Sequence, residues 1–140
     1  MISFFYNIDF KLEDESKYTE WIINIFKSEK QKPEDLSYVF CSDDFLHRIN
    51  QDYLNHNTYT DIITFDYSEG KGIKGEIYIS IDRIKDNAKT YGVEFSQELR
   101  RVMAHGILHL LGYSDKTARE KEFMRGLENE KMNLFHVKHC

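Results

Sequence analysis

This chain of 140 residues has little of what stiffens or staples a backbone: one proline and two cysteines. A disulfide framework needs more than Cys41 and the final Cys140. Two thiols in a chain this long suit a reducing compartment. Seven glycines and one proline exclude a collagen-like or linker-dominated chain. No run approaches the ~18 consecutive apolar residues of a membrane helix. The opening MISFFYNIDFKLEDE has no basic stretch ahead of its apolar residues, unlike a secretory signal. The expectation is a cytoplasmic protein with no membrane partner. Positive charge is also short, with 19 basic against 24 acidic residues and a net charge of −5. Non-specific nucleic-acid binders usually carry the opposite sign, so contact with RNA or DNA requires a local field in a cleft.

Core material is present. The hydrophobic fraction is 41% and the aromatic fraction 14%, enough for one domain over residues 1–140 that buries roughly two-thirds of its unfolded surface. Residues 2–10 (ISFFYNIDF) read as a strand. From about Ser16 to Lys30, Tyr18, Trp21, Ile22, Ile25 and Phe26 recur at helical spacing. Residues 36–41 (LSYVFC) form a short apolar strand, and Ser42 caps a helix that carries Phe45, Leu46, Ile49 and Tyr53. After a polar loop from Asn55 to Thr60, Asp61–Tyr67 and Gly75–Ile81 read as a β-hairpin around SEGKGIK. A helix is expected from Asp82 to about Tyr91. The next is capped by Ser96 and runs to Leu111, stopping at Gly112. Thr117 and Glu120 form a T-x-x-E capping box for a last helix reaching about Phe135. The pattern predicts an α+β (mixed α/β) domain, a small mixed sheet packed with several helices. Strand order does not follow from it.

The helix ending at Leu111 is nearly all apolar in its second half, interrupted by His105 and His109. Four apart, these share a face about 5–6 Å apart at Cβ, a spacing that lets two imidazoles hold one ion. Gly112 permits the chain to turn back, and Asp115 follows ten residues after His105. The pattern H-x-x-x-H-x-x-G-x-x-D shares its ligand spacing with the H-E-x-x-H-x-x-G-x-x-H of metzincin proteases. Two readings of the spacing stand side by side. One is a metal site with a position left for water. The other is two satisfied core histidines, a commonplace glycine and an aspartate preceding the next helix. The residue after the first histidine is Gly106, where zinc proteases of this type place their glutamate base. Gly106 cannot take a proton, which argues against a metalloprotease. A phosphodiester needs less help from a protein base, because the metal both lowers the pKa of water and offsets phosphate charge. Two nitrogens and a carboxylate suit zinc, and equally iron, manganese, cobalt or nickel.

The segment HGILHLLGYSD, residues 105–115, closely resembles the signature of the YbeY endoribonuclease family, H-G-x-L-H-L-x-G-Y-D-H. The match includes Gly106, Leu108, Leu110, Gly112 and Tyr113. Leu54-Asn55 followed by Thr60–Phe65 resembles the family's L-N…T-D-V-L-S-F element, and Gly75–Ser80 its G-D-I-x-I-S strand. Met124 and Glu128 also sit in a family-like context. The resemblance runs from about Leu46 to Glu130. It implies a zinc-dependent endoribonuclease acting on single strands, with one Zn²⁺ per chain and no small-molecule cofactor. It implies work in 16S rRNA 3′-end maturation and ribosome quality control, with ribosomal RNA and the 30S subunit as partners. The attacking group is then a metal-bound water or a metal-activated 2′-hydroxyl. Two departures stand out. The family's third histidine falls on Asp115, which we keep as a ligand, and its preceding aspartate on Ser114. The loop LNHNTYTD is short and lacks the family's arginine; His56 or Tyr59 stands nearest to that role.

Asp61 is expected either to support a ligating imidazole or merely to cap a turn, and Tyr59 is the other candidate for catalytic support. Arg100, Arg101, Lys116 and Arg119 are the candidates for holding an RNA backbone. His136, His139 and Cys140 read as tail residues, and His47 and His56 as single and exposed. The non-enzymatic alternative is a ribosome-associated RNA-binding factor whose metal mainly fixes the fold.

Overall fold

A computed structural model of the chain describes residues 1–55, 59–70 and 72–136. The described residues form four strands and five α-helices in the order β1 (Ile2–Tyr6), α1 (Glu15–Ser28), β2 (Pro33–Cys41), α2 (Asp43–Leu54), β3 (Ile62–Asp66), β4 (Ile73–Ser80), α3 (Ile81–Tyr91), α4 (Phe95–Leu110) and α5 (Ala118–Asn133). A 3₁₀ turn, Leu134–His136, follows. The strands make one mixed sheet in the order β1-β2-β4-β3. Strands β1, β2 and β4 run parallel, with Phe4 opposite Tyr38 and Tyr38 opposite Ile77. β3 returns antiparallel on β4, with Ile62 opposite Ile79, so the expected hairpin is present, its second strand starting two residues earlier. The expected α+β class with a mixed sheet holds.

Side chains alternate across this sheet, as the pleat requires. Leu36, Tyr38, Phe40, Ile77 and Ile79 point to one face and enter the main core with Trp21, Ile22, Ile25 and Phe26 of α1 and Met103, Ala104 and Ile107 of α4. Cys41 and Ile63 join a smaller cluster with Leu46 and Ile49 of α2. Burial pushes the Cys41 thiol up to about 12, with Asp82 and Asp43 adding to it, so it stays protonated and is no nucleophile.

Three boundaries differ from expectation for identifiable reasons. The first strand ends at Tyr6, where its last pairing neighbour, Asn7, donates to the Phe40 carbonyl at 2.8 Å. The aromatic run continues because Phe10, already in the connection, turns inward against Phe40 and Phe95 at 5.4 and 5.8 Å. Helix α4 starts at Phe95, not after Ser96. Glu94 takes the cap position through its backbone carbonyl, which accepts from Gln97 and Glu98 at 3.1 Å. Placing Phe95 in the first turn lets its ring close on Phe10. The last helix ends at Asn133, two residues before Phe135, and its capping box is complete: Thr117 Oγ1 accepts from the Glu120 amide at 3.1 Å and Glu120 Oε1 from the Thr117 amide at 2.9 Å.

Helix α4 lies directly on the hairpin. A Cβ at Gly106 would stand 2.9 and 3.0 Å from two carbons of Ile77 and 3.0 Å from Ile62 Cδ1. One at Gly75 would meet the Phe65 carbonyl oxygen and Leu110 Cδ1 at 2.9 Å. Two glycines thus set how closely helix and sheet approach. The Tyr38 hydroxyl donates to the Met103 carbonyl at 2.9 Å and pins the same helix to β2. Gly106→Ala is expected to destabilise the chain by about 1–2 kcal/mol through overpacking, despite the better helix propensity of alanine. Gly126→Ala, in α5 where nothing lies within 4 Å, is expected to stabilise it by about 0.5–1 kcal/mol. Urea unfolding of both variants checks the pair; equal effects would contradict the packing argument.

Candidate metal centre

The close seating of α4 turns one face to the sheet and leaves His105 and His109 on another, beside α5 and the connection that follows α4. Gly112 has φ +100°, a conformation that reverses the chain after the helix, and Asp115 returns to the histidines. His105 Nε2 lies 3.3 Å from Asp115 Oδ2, and His109 Nε2 lies 3.4 Å from Asp115 Oδ1. One ligand atom from each of the three residues can be chosen so that all lie within 4.8 Å of one another. The two separations exceed a good N–H···O hydrogen bond. Each imidazole faces a different oxygen of the same carboxylate, and two nitrogens with a carboxylate oxygen make a donor set of the kind zinc takes. These three residues could hold a divalent ion. The side chains of His109 and Asp115 are each 33% exposed, so the cluster faces solvent on one side.

A second carboxylate fixes the first imidazole. Glu128 Oε2, on α5, lies 2.6 Å from His105 Nδ1. That contact places the proton on Nδ1 and turns Nε2 toward Asp115. Glu128 is itself held by Arg101, whose Nη1 donates to its Oε1 at 3.0 Å, while Arg101 Nη2 donates to Asn129 Oδ1 at 2.6 Å. Burial works against a charged His105, yet the Glu128 hydrogen bond and charge, with Asp115 and Asp61, outweigh it and raise its pKa. Burial and neighbouring His105 lower that of His109, which Asp115 only partly offsets. Carboxylates crowd around the His105 imidazole, and a cation bound at its Nε2 would take the place of a proton there while Glu128 keeps the one on Nδ1.

The return loop is braced from the opposite side. The Tyr113 hydroxyl donates to Glu29 Oε1 at 2.5 Å, and Lys131 Nζ, 1% exposed, donates to Glu29 Oε2 at 2.7 Å and Ser28 Oγ at 2.9 Å. Burial opposes the Glu29 charge, but its bonds to Lys131 and Tyr113 prevail and hold its carboxyl below the usual range. Trp21 Nε1 donates to the Lys131 carbonyl at 2.7 Å. The end of α1, the metal loop and α5 are joined through one buried cation.

The residues expected from the sequence separate into groups. His105, His109 and Asp115 converge. Asp61 and Arg101 line the same cavity, of about 240 Å³, as His105, Asp115 and Glu128. Asp61 does not bond the imidazole; it accepts from Asn87 Nδ2 at 3.2 Å, and burial raises its carboxyl even though the charge of His105 lowers it. Arg100 turns away, its guanidinium 4.4 Å over the Phe135 ring in a different cavity. Lys116 and Arg119 are exposed just past Asp115. Tyr59 stacks on His47 at 4.0 Å beneath Arg83 at 5.7 Å, so His47 is half-buried rather than exposed. Arg83 is held by Asp43 at 2.8 Å. His136 packs edge-on against Phe135 at 5.7 Å; His56, His139 and Cys140 lie outside the described residues. The role of Glu128 was missed. Its signal was spacing: Met124 and Glu128 are four apart on α5, both buried, and Arg101 stands four before His105.

If Glu128 orients His105, Glu128→Ala should weaken Zn²⁺ binding about 10–100-fold while leaving one equivalent bound at saturation. A competition titration against a chromophoric chelator reads this; an unchanged affinity would remove Glu128 from the site.

Comparison with known proteins identifies the family. The family model described as Endoribonuclease YbeY matches residues 6–136. The Endoribonuclease YbeY proteins of Flavobacterium johnsoniae and Flavobacterium psychrophilum are 48% and 50% identical over 137 and 138 residues, covering 98% and 99% of this chain and 99% of each relative. The solution structure of TM1509 from Thermotoga maritima is similar with a TM-score of 0.68, at 24% identity, over 96% of this chain and 89% of that one. That last likeness concerns the fold. The family match spans both histidines, Asp115 and Glu128, and on this ground the chain belongs to the Endoribonuclease YbeY family.

Proposed function

We propose that this chain is a zinc-dependent endoribonuclease that cuts single-stranded RNA, serving 16S rRNA 3′-end maturation and ribosome quality control on the 30S subunit in the cytoplasm. Family membership supports the endoribonuclease reading. Among the described residues, no helix is long and apolar enough to cross a membrane. The single observation that carries the chemistry is the convergence of His105, His109 and Asp115 beside a polar cavity.

A zinc ion held by these three residues supplies Lewis acidity, lowering the pKa of a water and offsetting charge on phosphate oxygens. The chain's own residues do the rest. Glu128, steadied by Arg101, holds the proton on His105 Nδ1. Asp61, with its carboxyl raised by burial, is the group assigned to accept a proton from the attacking water or 2′-hydroxyl. Tyr59, stacked on His47 beneath Arg83, is assigned no chemical role. Lys116 and Arg119 are assigned to outer backbone contacts, and Arg101 to bracing. A peptidase reading has no support, because Gly106 stands where the base would be and has Ile77 and Ile62 packed against it.

Purified chain is expected to cut a labelled single-stranded RNA and to spare the corresponding duplex. His109→Ala should lose at least about 100-fold in rate with its melting temperature preserved in the metal-free state. Tight RNA binding by wild type without any cleavage, and no difference in the variant, would favour a binding factor whose metal is structural.

A further inference from the structure

The cavity beside the metal centre extends away from the histidines, between α3, α4 and α5. Part of its lining is not used by the chemistry above. Glu98 of α4 is 5% exposed and lines the cavity with Asp61, whose carboxylate accepts from Asn87. Tyr91, the last residue of α3, is 60% exposed. Arg125 of α5 is exposed and lines the same cavity as Glu98. Arg101, the other guanidinium here, is already committed to Glu128 and Asn129.

Charge orders this space. The depth is acidic, with Glu98, Asp61 and Glu128 facing it, and repels a phosphate. Glu98, which the proton transfer and the histidine do not use, can accept from the N–H groups on the edge of a nucleobase. The rim carries the complementary features, an exposed ring and an arginine, which suit a base face and a phosphate. A base in a duplex has its edge paired and both faces stacked, so only an unpaired one can enter.

Resting on the endoribonuclease reading, we propose that this pocket is a nucleotide subsite for the unpaired residue next to the phosphate being cut. Its base enters edge-first toward Glu98, Tyr91 stacks on it, and Arg125 pairs with its backbone phosphate. The preference for single strands then comes from the pocket and not from the metal.

The test is steady-state cleavage of a short single-stranded RNA by the full chain with its metal. Tyr91→Ala should raise KM about tenfold with kcat within about twofold of wild type, and Tyr91→Phe should restore KM. Arg125→Gln should lower the slope of log KM against log salt by about 0.7, and Arg125→Lys should keep it. Bound metal and Tm should not change in any of the four. An RNA made abasic beside the cut, on each side in turn, should on one side cost wild type at least as much as Tyr91→Ala does and cost that variant a smaller factor than it costs wild type. If wild type cuts RNA and Tyr91→Ala and Arg125→Gln match it in KM and salt slope, the subsite is overturned and the nuclease stands. If wild type neither binds nor cuts RNA, the endoribonuclease reading falls and the subsite with it.

Discussion

The distance between α4 and the β3–β4 hairpin is the constraint on which the site depends. With Gly106 against Ile77 and Ile62, and Leu110 against Gly75, the helix has no room to roll or lift. One face is committed to the sheet, and the next faces along are assigned by helical geometry. His105 and His109 are thereby presented together on a rigid element, which holds functional side chains more precisely than a loop does. A glutamate after the first histidine, as in zinc peptidases, would have to displace core isoleucines. The same position therefore fixes the packing and removes one class of chemistry.

The third ligand is supplied by a loop, and loops need bracing. Here the bracing is polar and largely out of water. Tyr113 reaches back to Glu29, Glu29 is paired with Lys131, and the Lys131 carbonyl is held by Trp21. On the other side Arg101 and Glu128 join α4 to α5 and orient His105. A buried ion pair is weak evidence for net stability, since desolvation opposes it, but breaking one partner is costly. These pairs are better understood as fixing where α5 and the loop sit relative to the histidines. They also leave a net acidic lining, which favours a cation at the cluster.

Much of this was legible in the sequence, because it is local. The histidine pair, the glycine that ends the helix and the T-x-x-E box are spacing signals, and the hairpin announces itself by alternation around a glycine-containing turn. What was hidden depends on elements distant in sequence. The order β1-β2-β4-β3 is set by which apolar faces meet, not by any one strand. Phe10 looked like strand because it is aromatic, yet its ring belongs to the core from a connection. Ser96 looked like a cap, but burying Phe95 against Phe10 moved the start of the helix. Glu128 stood in the sequence only as part of a family-like context and Lys131 carried no signal, and the docking of α5 reveals both as buried. The spacing of Asp115 from the histidines was plain from the sequence; that its carboxylate reaches both imidazoles was not.

The central claim is that His105, His109 and Asp115 hold one divalent ion, and X-ray absorption at the zinc edge tests it most directly. With the full chain loaded with one equivalent, the account predicts two imidazole nitrogens and a carboxylate oxygen at about 2.0–2.1 Å, and loss of stoichiometric binding in Asp115→Ala. A chain that retains no zinc, or a coordination sphere without imidazole, would contradict it.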